Sequence, residues 1–383
     1  MITSPYKLFL TCSRGFEATC SQELKTIGVM HRKLEPGGVS FTGTINDIYK
    51  VNYLSRTGMV LWTEICSLNI NNEESIYHSI YNNLWEELFR KKTTFSFKCI
   101  QVGRKFKNTH FISLKGKDAI VDYFKNKNIN RPDVEKNEAD LNFLILIGKK
   151  GGKLLVNTSG KPLFKRGYRT IKHDAPLNET VASSILKYIG WNSKIPLYDP
   201  FCGSGTIPIE AAQIALNIPA GKLRENWGFY HLPEFNRLKW LEIKNKLDLK
   251  IIENNPIEIF GSDVDNFSIQ SSIIHSKKTG LQKFIKFRNT DIKHWLPFTK
   301  NGMIITNPPY GVRINNNKNL SFLYSDFGNI LKNKCQGFKV FLICGNRELI
   351  KHIGLKTSMK FPLRISKLDG RLVGIEIYKG SKK

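Results

Sequence analysis

The sequence predicts an α/β protein with a doubly wound, mostly parallel sheet in its C-terminal half and an α+β ferredoxin-like region before it. Two observations predict this. In the C-terminal half, short apolar runs suited to buried strands alternate with helical segments, an order typical of parallel sheets. The N-terminal residues instead give strand, helix, strand, helix and strand in turn, which is typical of a small α+β unit.

The N-terminal elements follow from the spacing of apolar residues. Phe16, Cys20, Leu24 and Ile27 recur at helical spacing, whereas the runs on either side suit strands. The predicted elements are, in order, the strand Tyr6–Thr11, the helix Gly15–Ile27, the strand Val39–Thr42, the helix Asn46–Leu54 and the strand Val60–Leu68.

A second α+β segment follows. Its predicted elements are the helix Ile76–Phe89, the strand Phe95–Val102, the helix Asp118–Phe124 and a hairpin of Asp140–Ile147 with Lys153–Asn157. We therefore predict a ferredoxin-like subdomain over 1–60, a second α+β domain over 61–158, a linker over 159–178 and the α/β domain over 179–383.

The charge is uneven along the chain. The sequence holds 59 Lys and Arg against 32 Asp and Glu, a net charge of +27. Residues 1–89 hold 7 basic and 9 acidic residues, whereas residues 90–173 hold 21 and 6. A lysine-rich genome would not confine the excess to one segment, so the pattern favours a local RNA-binding surface. The candidate contacts are Arg104, Lys105, Lys107, Lys165, Arg166 and Arg169, with Phe106 available to stack on a base. The cluster around Phe106 equally suits a solvated strand end.

The cysteines predict neither a zinc site nor a disulfide framework. There are seven, an odd number, and none forms a Cys-x-x-Cys pair. The N-terminus shows no signal-peptide pattern, and no apolar stretch reaches the about 20 residues that span a membrane. We expect a cytoplasmic protein that needs no metal.

A glycine loop opens the α/β domain. The apolar run that ends at Asp199 is followed by Phe201, by Gly203-Ser204-Gly205 and by a helix that begins near Thr206. Two glycines one residue apart allow a sharp turn and close approach of a ligand to the backbone. Because the loop carries an acid and no lysine, it suits an amine-bearing ligand better than a phosphate.

Two further strands also end in acids. The run Ile257–Asp263 carries an acid where such sheets bind ribose hydroxyls, and Asp291 follows the strand that begins at Ile285. Asp199 and Asp263 are separated by far more than the usual about 20 residues. The intervening aromatic-rich stretch, Leu216–Asn255, is expected to form a further packed layer, although it could also cover the site or contact RNA.

The sequence Asn307-Pro308-Pro309-Tyr310 follows the apolar run that begins at Met303. The prolines fix φ and lack N–H groups, so the turn is stiff. The Asn307 side-chain oxygen and the Pro308 carbonyl are then two acceptors beside the Tyr310 ring, an arrangement that suits a planar group with an NH2. An ordinary proline-rich turn would have the same sequence, so the motif depends on its context.

These motifs together resemble the class I S-adenosylmethionine-dependent methyltransferases of the Asn-Pro-Pro-Tyr type. More narrowly, the chain resembles the bacterial RNA guanine-N2 methyltransferases with an N-terminal THUMP RNA-binding domain, in the short form that acts on large-subunit (23S) ribosomal RNA. The resemblance is carried by Asp199–Thr206, Gly261–Asp265, Thr306–Gly311 and Lys165–Arg169. It places the THUMP domain over 61–158.

The resemblance implies a role for each motif. Asn307, Pro308, Pro309 and Tyr310 would hold the guanine amine, with Tyr310 stacked on the base. The resemblance implies the following residues for S-adenosylmethionine: Asp199, Phe201, Gly203, Ser204, Gly205, Thr206, Asp263, Val264, Asp291 and Ile292. Asp263 would bind the ribose, Asp291 the adenine amine, and the glycine loop with Asp199 the methionine end.

Several alternatives share these motifs. Enzymes that methylate adenine N6, cytosine N4 in DNA or a glutamine amide carry the same tetrapeptide, and transfer RNA guanine is an alternative substrate. A non-catalytic RNA-binding or ribosome assembly factor is the alternative of another class. The intact glycine loop, acids and tetrapeptide argue against that last alternative.

Overall fold

The computed structural model describes residues 4–89, 92–149, 151–173, 176–311, 317–365 and 368–378. The chain divides into two compact units, neither of which is continuous in sequence. Unit 1 comprises Met1–Cys12, Cys20–Lys165 and Arg224–Leu247, and unit 2 comprises Ser13–Thr19, Arg166–Leu223 and Asp248–Lys383.

Eight strands and four helices precede the linker among the described residues. They are β1 (Tyr6–Cys12), α1 (Glu17–Ile27), β2 (Arg32–Glu35), β3 (Gly38–Gly43), α2 (Ile45–Leu54), β4 (Gly58–Leu68), α3 (Glu73–Tyr81), β5 (Thr94–Gln101), α4 (Thr109–Asn126), β6 (Asp133–Val134), β7 (Leu141–Ile147) and β8 (Gly152–Asn157).

After the linker, most strands are followed by a helix or a 3-10 turn, and the last two strands are consecutive. The elements are α5 (Glu179–Tyr188), β9 (Leu197–Asp199), α6 (Thr206–Ala215), a 3-10 turn (Gly228–His231), α7 (Arg237–Asp248), β10 (Ile259–Asp263), α8 (Asn266–Lys278), β11 (Ile285–Asn289), a second 3-10 turn (Ile292–His294), β12 (Met303–Thr306), α9 (Asn317–Lys334), β13 (Lys339–Cys344), α10 (Arg347–Lys351), β14 (Met359–Ile365) and β15 (Leu368–Glu376).

Two predicted helices have different bounds. The helix predicted over Ile76–Phe89 ends at Tyr81, because the chain turns there and Trp85 folds back to donate its indole N–H to the Ile80 carbonyl at 3.0 Å. The helix predicted from Asp118 begins instead at Thr109, where the Asn108 side chain accepts the N–H groups of the first turn. The short strands β2 and β6 were not predicted, and neither were the individual helices and strands of α7 to α10 and β13 to β15.

Unit 1 contains one mixed sheet in the order β2-β3-β1-β4-β8-β7-β5-β6. Alternate residues of β1, such as Leu8 and Leu10, are buried in a core shared with Ile48 and Val51 of α2. Lys7 and Phe9 project to the opposite face of the sheet. The predicted antiparallel pairing of β7 with β8 is confirmed.

The aromatic-rich stretch between β9 and β10 forms a packed layer, as predicted. Its residues Arg224–Leu247 belong to unit 1, although the sequence division placed them within 179–383. Phe229 and Trp240 lie with ring centroids 4.9 and 5.7 Å from that of Tyr49 on α2. These rings extend the core of unit 1.

Unit 2 contains the predicted doubly wound sheet, in the order β11-β10-β9-β12-β13-β15-β14. The first five strands are mutually parallel, and β15 and β14 form an antiparallel edge. The strand order reverses between β9 and β12, and ligands of such sheets bind outside the carboxyl ends of the strands at this point. Asp199 and Thr306 end these two strands.

Among the described residues, no helix combines the length and apolarity needed to cross a membrane. The same residues include no cluster of three or more His, Cys, Asp or Glu side chains arranged to hold a metal ion.

Candidate active site at the strand-order reversal

The glycine loop adopts a conformation that requires glycine. Gly203 and Gly205 have φ of 51° and 82°, and Gly205 directly precedes α6. A Cβ on Gly205 would lie 3.1 Å from the Ser272 side chain, whereas one on Gly203 would meet no atom within 4 Å. The loop is thus packed on one side and open on the other, where a ligand can approach its backbone.

Helix α8 braces this loop. Ser272 donates to the Gly203 carbonyl at 2.8 Å, and His275 Nδ1 lies 3.1 Å from the Ser204 carbonyl. His275 Nε2 accepts the Ile171 N–H at 3.3 Å, so the ring is neutral with its proton on Nδ1. Burial lowers the pKa of His275, which maintains that state. Neither residue was predicted, because their roles depend on contacts between distant parts of the chain.

Asp199 lies beneath the loop and is only 2% exposed. Its Oδ1 accepts the hydroxyl of Thr306 at 2.6 Å and the Phe201 N–H at 3.3 Å. Burial, with a smaller contribution from the nearby Asp263, raises the pKa of Asp199 to about 7, although the hydrogen bonds from Thr306 and Phe201 lower it. A cationic ligand would favour its ionised form. The Thr306 bond joins β9 to β12 where the strand order reverses.

Asp263 connects the next strand to the loop. Its Oδ2 accepts the Gly203 N–H at 2.9 Å and its Oδ1 accepts the Asp265 N–H at 3.0 Å. Each carboxylate oxygen has a second lone pair, so the group can still accept ribose hydroxyls. Asn289, which was not predicted, donates to the carbonyls of Asp263 and Val264 at 3.0 and 2.9 Å and fixes this turn.

The apolar and acidic candidates beyond β10 and β11 differ in exposure. Val264 is 66% exposed, whereas Ile292 is buried. Asp291 is exposed, and its Oδ1 accepts the Lys293 N–H at 2.9 Å. All three follow the carboxyl ends of neighbouring parallel strands. Open backbone at Gly203, an acid at Asp263 and exposed apolar surface at Val264 fit a nucleoside-bearing ligand such as S-adenosylmethionine.

Asn307 and Tyr310 follow β12 directly. Asn307 Oδ1 is buried and has no hydrogen-bond partner within the described part of the chain. A buried acceptor without a donor is costly, so it marks a position where a ligand N–H would be stabilised. A Cβ on Gly345 would lie 2.7 Å from two ring atoms of Tyr310, so the backbone of Gly345 covers one face of that ring. Gly345 was not predicted as part of the site.

The prediction that Arg166 contacts RNA is wrong. The side chain is 2% exposed and lies 3.3 Å from the fully buried carboxylate of Glu210. Glu210 also accepts the hydroxyls of Tyr168 and Ser183, at 3.3 and 2.5 Å. The guanidinium is an internal counter-ion because a buried carboxylate needs a paired charge.

The prediction that Arg169 contacts RNA is also wrong, because this side chain too is engaged within the protein. Its guanidinium donates to Glu179 at 3.0 Å, to Ser204 at 2.8 Å and to Thr206 at 2.9 Å. Only about a fifth of the side chain is exposed. It holds the glycine loop against α5, so its part in the site is structural. No sequence signal distinguishes it from an exposed linker arginine.

The other basic candidates belong to unit 1 and are exposed: Arg104, Lys105, Lys107 and Lys165. Phe106 between them is buried, and Gln101 holds its backbone through hydrogen bonds of 2.8 and 3.0 Å. Of the alternatives left open above, stacking of Phe106 on a base is therefore excluded. Phe111, near the start of α4, is 44% exposed and is a ring close by in the sequence that remains accessible.

Three family models match the chain in order. They are an RlmL ferredoxin-like domain over residues 7–59, a THUMP domain over 71–155 and an RMKL-like methyltransferase domain over 166–373. The last covers more than half of the 383 residues.

Curated relatives match nearly the whole chain. A Synechocystis protein named as a candidate RNA methyltransferase is 32% identical over 98% of this chain and 97% of its own length. The ribosomal RNA large subunit methyltransferase K/L of Psychromonas ingrahamii is 34% identical over 92% of this chain and 48% of its own length. The enzyme of the same name from Shewanella amazonensis is 31% identical over 94% of this chain and 51% of its own length. The chain thus spans about half the length of the K/L relatives.

Solved structures show the same fold. SMU.472, described as a methyltransferase candidate complexed with SAH, matches with a TM-score of 0.87 and 26% identity over 98% of this chain and 99% of that one. A possible methylase from Clostridium difficile 630 matches with a TM-score of 0.88 and 24% identity over 99% and 100%.

Proposed function

Because this chain belongs to the RMKL-like methyltransferase family, we propose that it transfers a methyl group from S-adenosylmethionine to the exocyclic N2 amine of a guanine in large-subunit ribosomal RNA. The observation that carries the proposal is the buried Asn307 Oδ1, which lacks a donor within the described residues. An exocyclic amine supplies that donor.

The cofactor is S-adenosylmethionine, in agreement with the SAH bound to SMU.472. When bound, it supplies an electrophilic methyl group on a positively charged sulfur. Asp263 would hold its ribose and Asp291 its adenine amine. Asp199 and the backbone of Gly203–Gly205 would hold the methionine end.

The chain's own groups position the acceptor base. Asn307 Oδ1 and the Pro308 carbonyl each accept a hydrogen bond from the amine, which helps to localise on the nitrogen the lone pair that is otherwise delocalised into the ring. After the methyl group is transferred, the nitrogen releases one proton to solvent. Both acceptors bind more strongly as positive charge develops on the nitrogen, so they stabilise the transition state. Tyr310 stacks on the base with the face that Gly345 leaves open. Fixed positioning of two reactants can contribute roughly 7–11 kcal/mol.

RNA is the substrate class that the N-terminal half supports. The match to a THUMP domain and the excess of basic residues over 90–173 both favour a polyanion. A paired base cannot reach such a site, so the target guanine must be unpaired or flipped out. The names of the K/L relatives direct the proposal to large-subunit ribosomal RNA.

Nucleoside analysis tests this proposal. Large-subunit ribosomal RNA from cells lacking the gene should lose one N2-methylguanosine, and complementation with the wild-type gene should restore it. Purified protein with labelled S-adenosylmethionine should methylate the unmodified RNA. Loss of the nucleoside from transfer RNA alone, or of another methylated base, would overturn the assignment.

A further inference from the structure

A row of side chains crosses the open face of the unit 1 sheet. Leu8 is buried on the helix side, so Lys7 and Phe9 project to the other side. Lys7 pairs with Thr42 on β3, and on its other side it faces Glu64 of β4. The face opposite the helices is therefore polar here.

The row continues over the remaining strands. Lys153 on β8 pairs with Leu146 on β7, which pairs with Ile100 on β5. Lys33 on β2 lies at the other end, opposite Ser40 of β3. The three lysines lie on an oblique line, because Ser40 pairs with Phe9 rather than Lys7 and Lys153 pairs with Ser67 rather than Glu64. With strands about 4.8 Å apart, β2 and β8 lie about 19 Å apart. We call Lys33, Lys7 and Lys153 the lysine row.

A groove with a cavity volume of about 1000 Å³ follows the lysine row. Glu64 lies within it but is bridged by Lys7 at 3.5 Å and by Lys153 at 2.9 Å, so these three groups carry a net positive charge. Lys33 and Glu35, which share this face of β2, add one charge of each sign. Arg32 projects to the other face, where its guanidinium donates to the Val29 and Met30 carbonyls. The groove is thus complementary to an anionic chain.

The groove is continuous with the exposed basic loop. Val102, at the start of that loop, donates its N–H to the Ile147 carbonyl at 2.9 Å, and the neighbouring Gly148 lines the groove. Lys149 is exposed in the same turn as Gly148. Arg104 and Lys105 are exposed in the loop after β5. Positive groups therefore extend from β2 across the sheet to the loop after β5.

We propose that single-stranded RNA lies across this open face, with its phosphates on the lysine row and a base on the half-buried ring of Phe9. The proposal rests on the RNA substrate proposed above. Phe9 lies two residues from Lys7 on the same strand, about 7 Å away, so one ring and one cation can serve one nucleotide. Sheets that bind RNA use aromatic rings in this way, and stacking requires unpaired bases.

Binding of short fluorescein-labelled RNA, single-stranded or annealed to a duplex, tests the proposal by anisotropy between about 50 and 200 mM salt. The variant Lys33→Gln/Lys153→Gln should bind the single strand more weakly, with a salt slope shallower by about 1.4, since each lost phosphate contact removes about 0.7. Phe9→Ala should weaken it about five- to hundredfold. The matched control is Lys25→Gln/Lys125→Gln, which removes the same charge from exposed positions on α1 and α4.

Selective loss in the row variants, with the control and SAH binding unchanged, supports the proposal. Equal losses in row and control variants, or a row effect on the duplex alone, overturn it. Recruitment of a ribosomal protein through this face without an effect on RNA binding also overturns it. If the row variants behave like wild type while RNA is still methylated, this inference fails and the proposed function stands. If the wild type binds RNA through the lysine row but methylates no RNA, the proposed function fails and this inference stands.

Discussion

The bond between Thr306 and Asp199 leads to the most detailed prediction. Both side chains are buried, and Thr306 Oγ1 lies 2.6 Å from Asp199 Oδ1 at the end of the two strands that flank the site. Thr306→Val removes this donor with little change in shape. A hydrogen bond to a charged group contributes about 1.5–3 kcal/mol, so the pKa of Asp199 should rise by about one to two units above its present value of about 7.

The consequence is a pH-dependent loss of cofactor affinity. We expect S-adenosylmethionine, a cation, to bind the ionised form of Asp199. At pH 7 the wild-type group is about half ionised, whereas in Thr306→Val the fraction falls to about a tenth or a hundredth. Affinity should then be about five- to fiftyfold weaker at pH 7 and should recover as the pH rises. Asp263 and the neutral, buried Cys202 are the other titratable groups beside Asp199.

Isothermal titration calorimetry with S-adenosylmethionine across this pH range measures the effect. Repeating it in buffers of different ionisation enthalpy counts the proton released on binding. Thr306→Ser retains the donor and should behave like wild type. An equal loss of affinity at every pH, or none in Thr306→Val, would refute the coupling between Thr306 and Asp199.

Two other variants test separate parts of the site. Because the folded-state pKa of Asp199 is raised from 3.8 to about 7, the native state binds the extra proton between these values, and this stabilisation is lost as the pH rises through 7. Thermal unfolding of the cofactor-free protein should show that contribution in wild type and not in Asp199→Asn, and parallel pH profiles would contradict it. Gly345→Ala places a Cβ 2.7 Å from the Tyr310 ring, so methyl transfer should fall by up to about 10²-fold while cofactor affinity is kept. Equal rates of methyl transfer in Gly345→Ala and the wild type would count against a role for the ring.

The sequence predicted the parts of the site that depend on local order. The strand, glycine loop and helix around Asp199–Thr206 form a continuous motif, and Asn307–Tyr310 follows a short apolar strand. Such elements are determined by nearby residues. The fold class could be predicted for the same reason, from the alternation of strands and helices.

The errors concern contacts between distant residues. Arg166 and Arg169 occur in a linker rich in Gly, Pro and Lys, which suggested exposed cations. Their partners Glu210 and Glu179 belong to helices whose buried faces become known only from the structure. The burial of Phe106 depends likewise on its tertiary contacts. The role of Gly345 depends on Tyr310, which is distant in the sequence.

The central claim is that Asn307 Oδ1 accepts a hydrogen bond from the guanine amine. Single-turnover methyl transfer to unmodified large-subunit ribosomal RNA, with the product identified as N2-methylguanosine, tests it directly. Asn307→Ala should lower the rate by at least about 10²-fold with S-adenosylmethionine affinity retained, and Asn307→Asp, which keeps an acceptor, should lose less. Unchanged transfer by Asn307→Ala would contradict the claim.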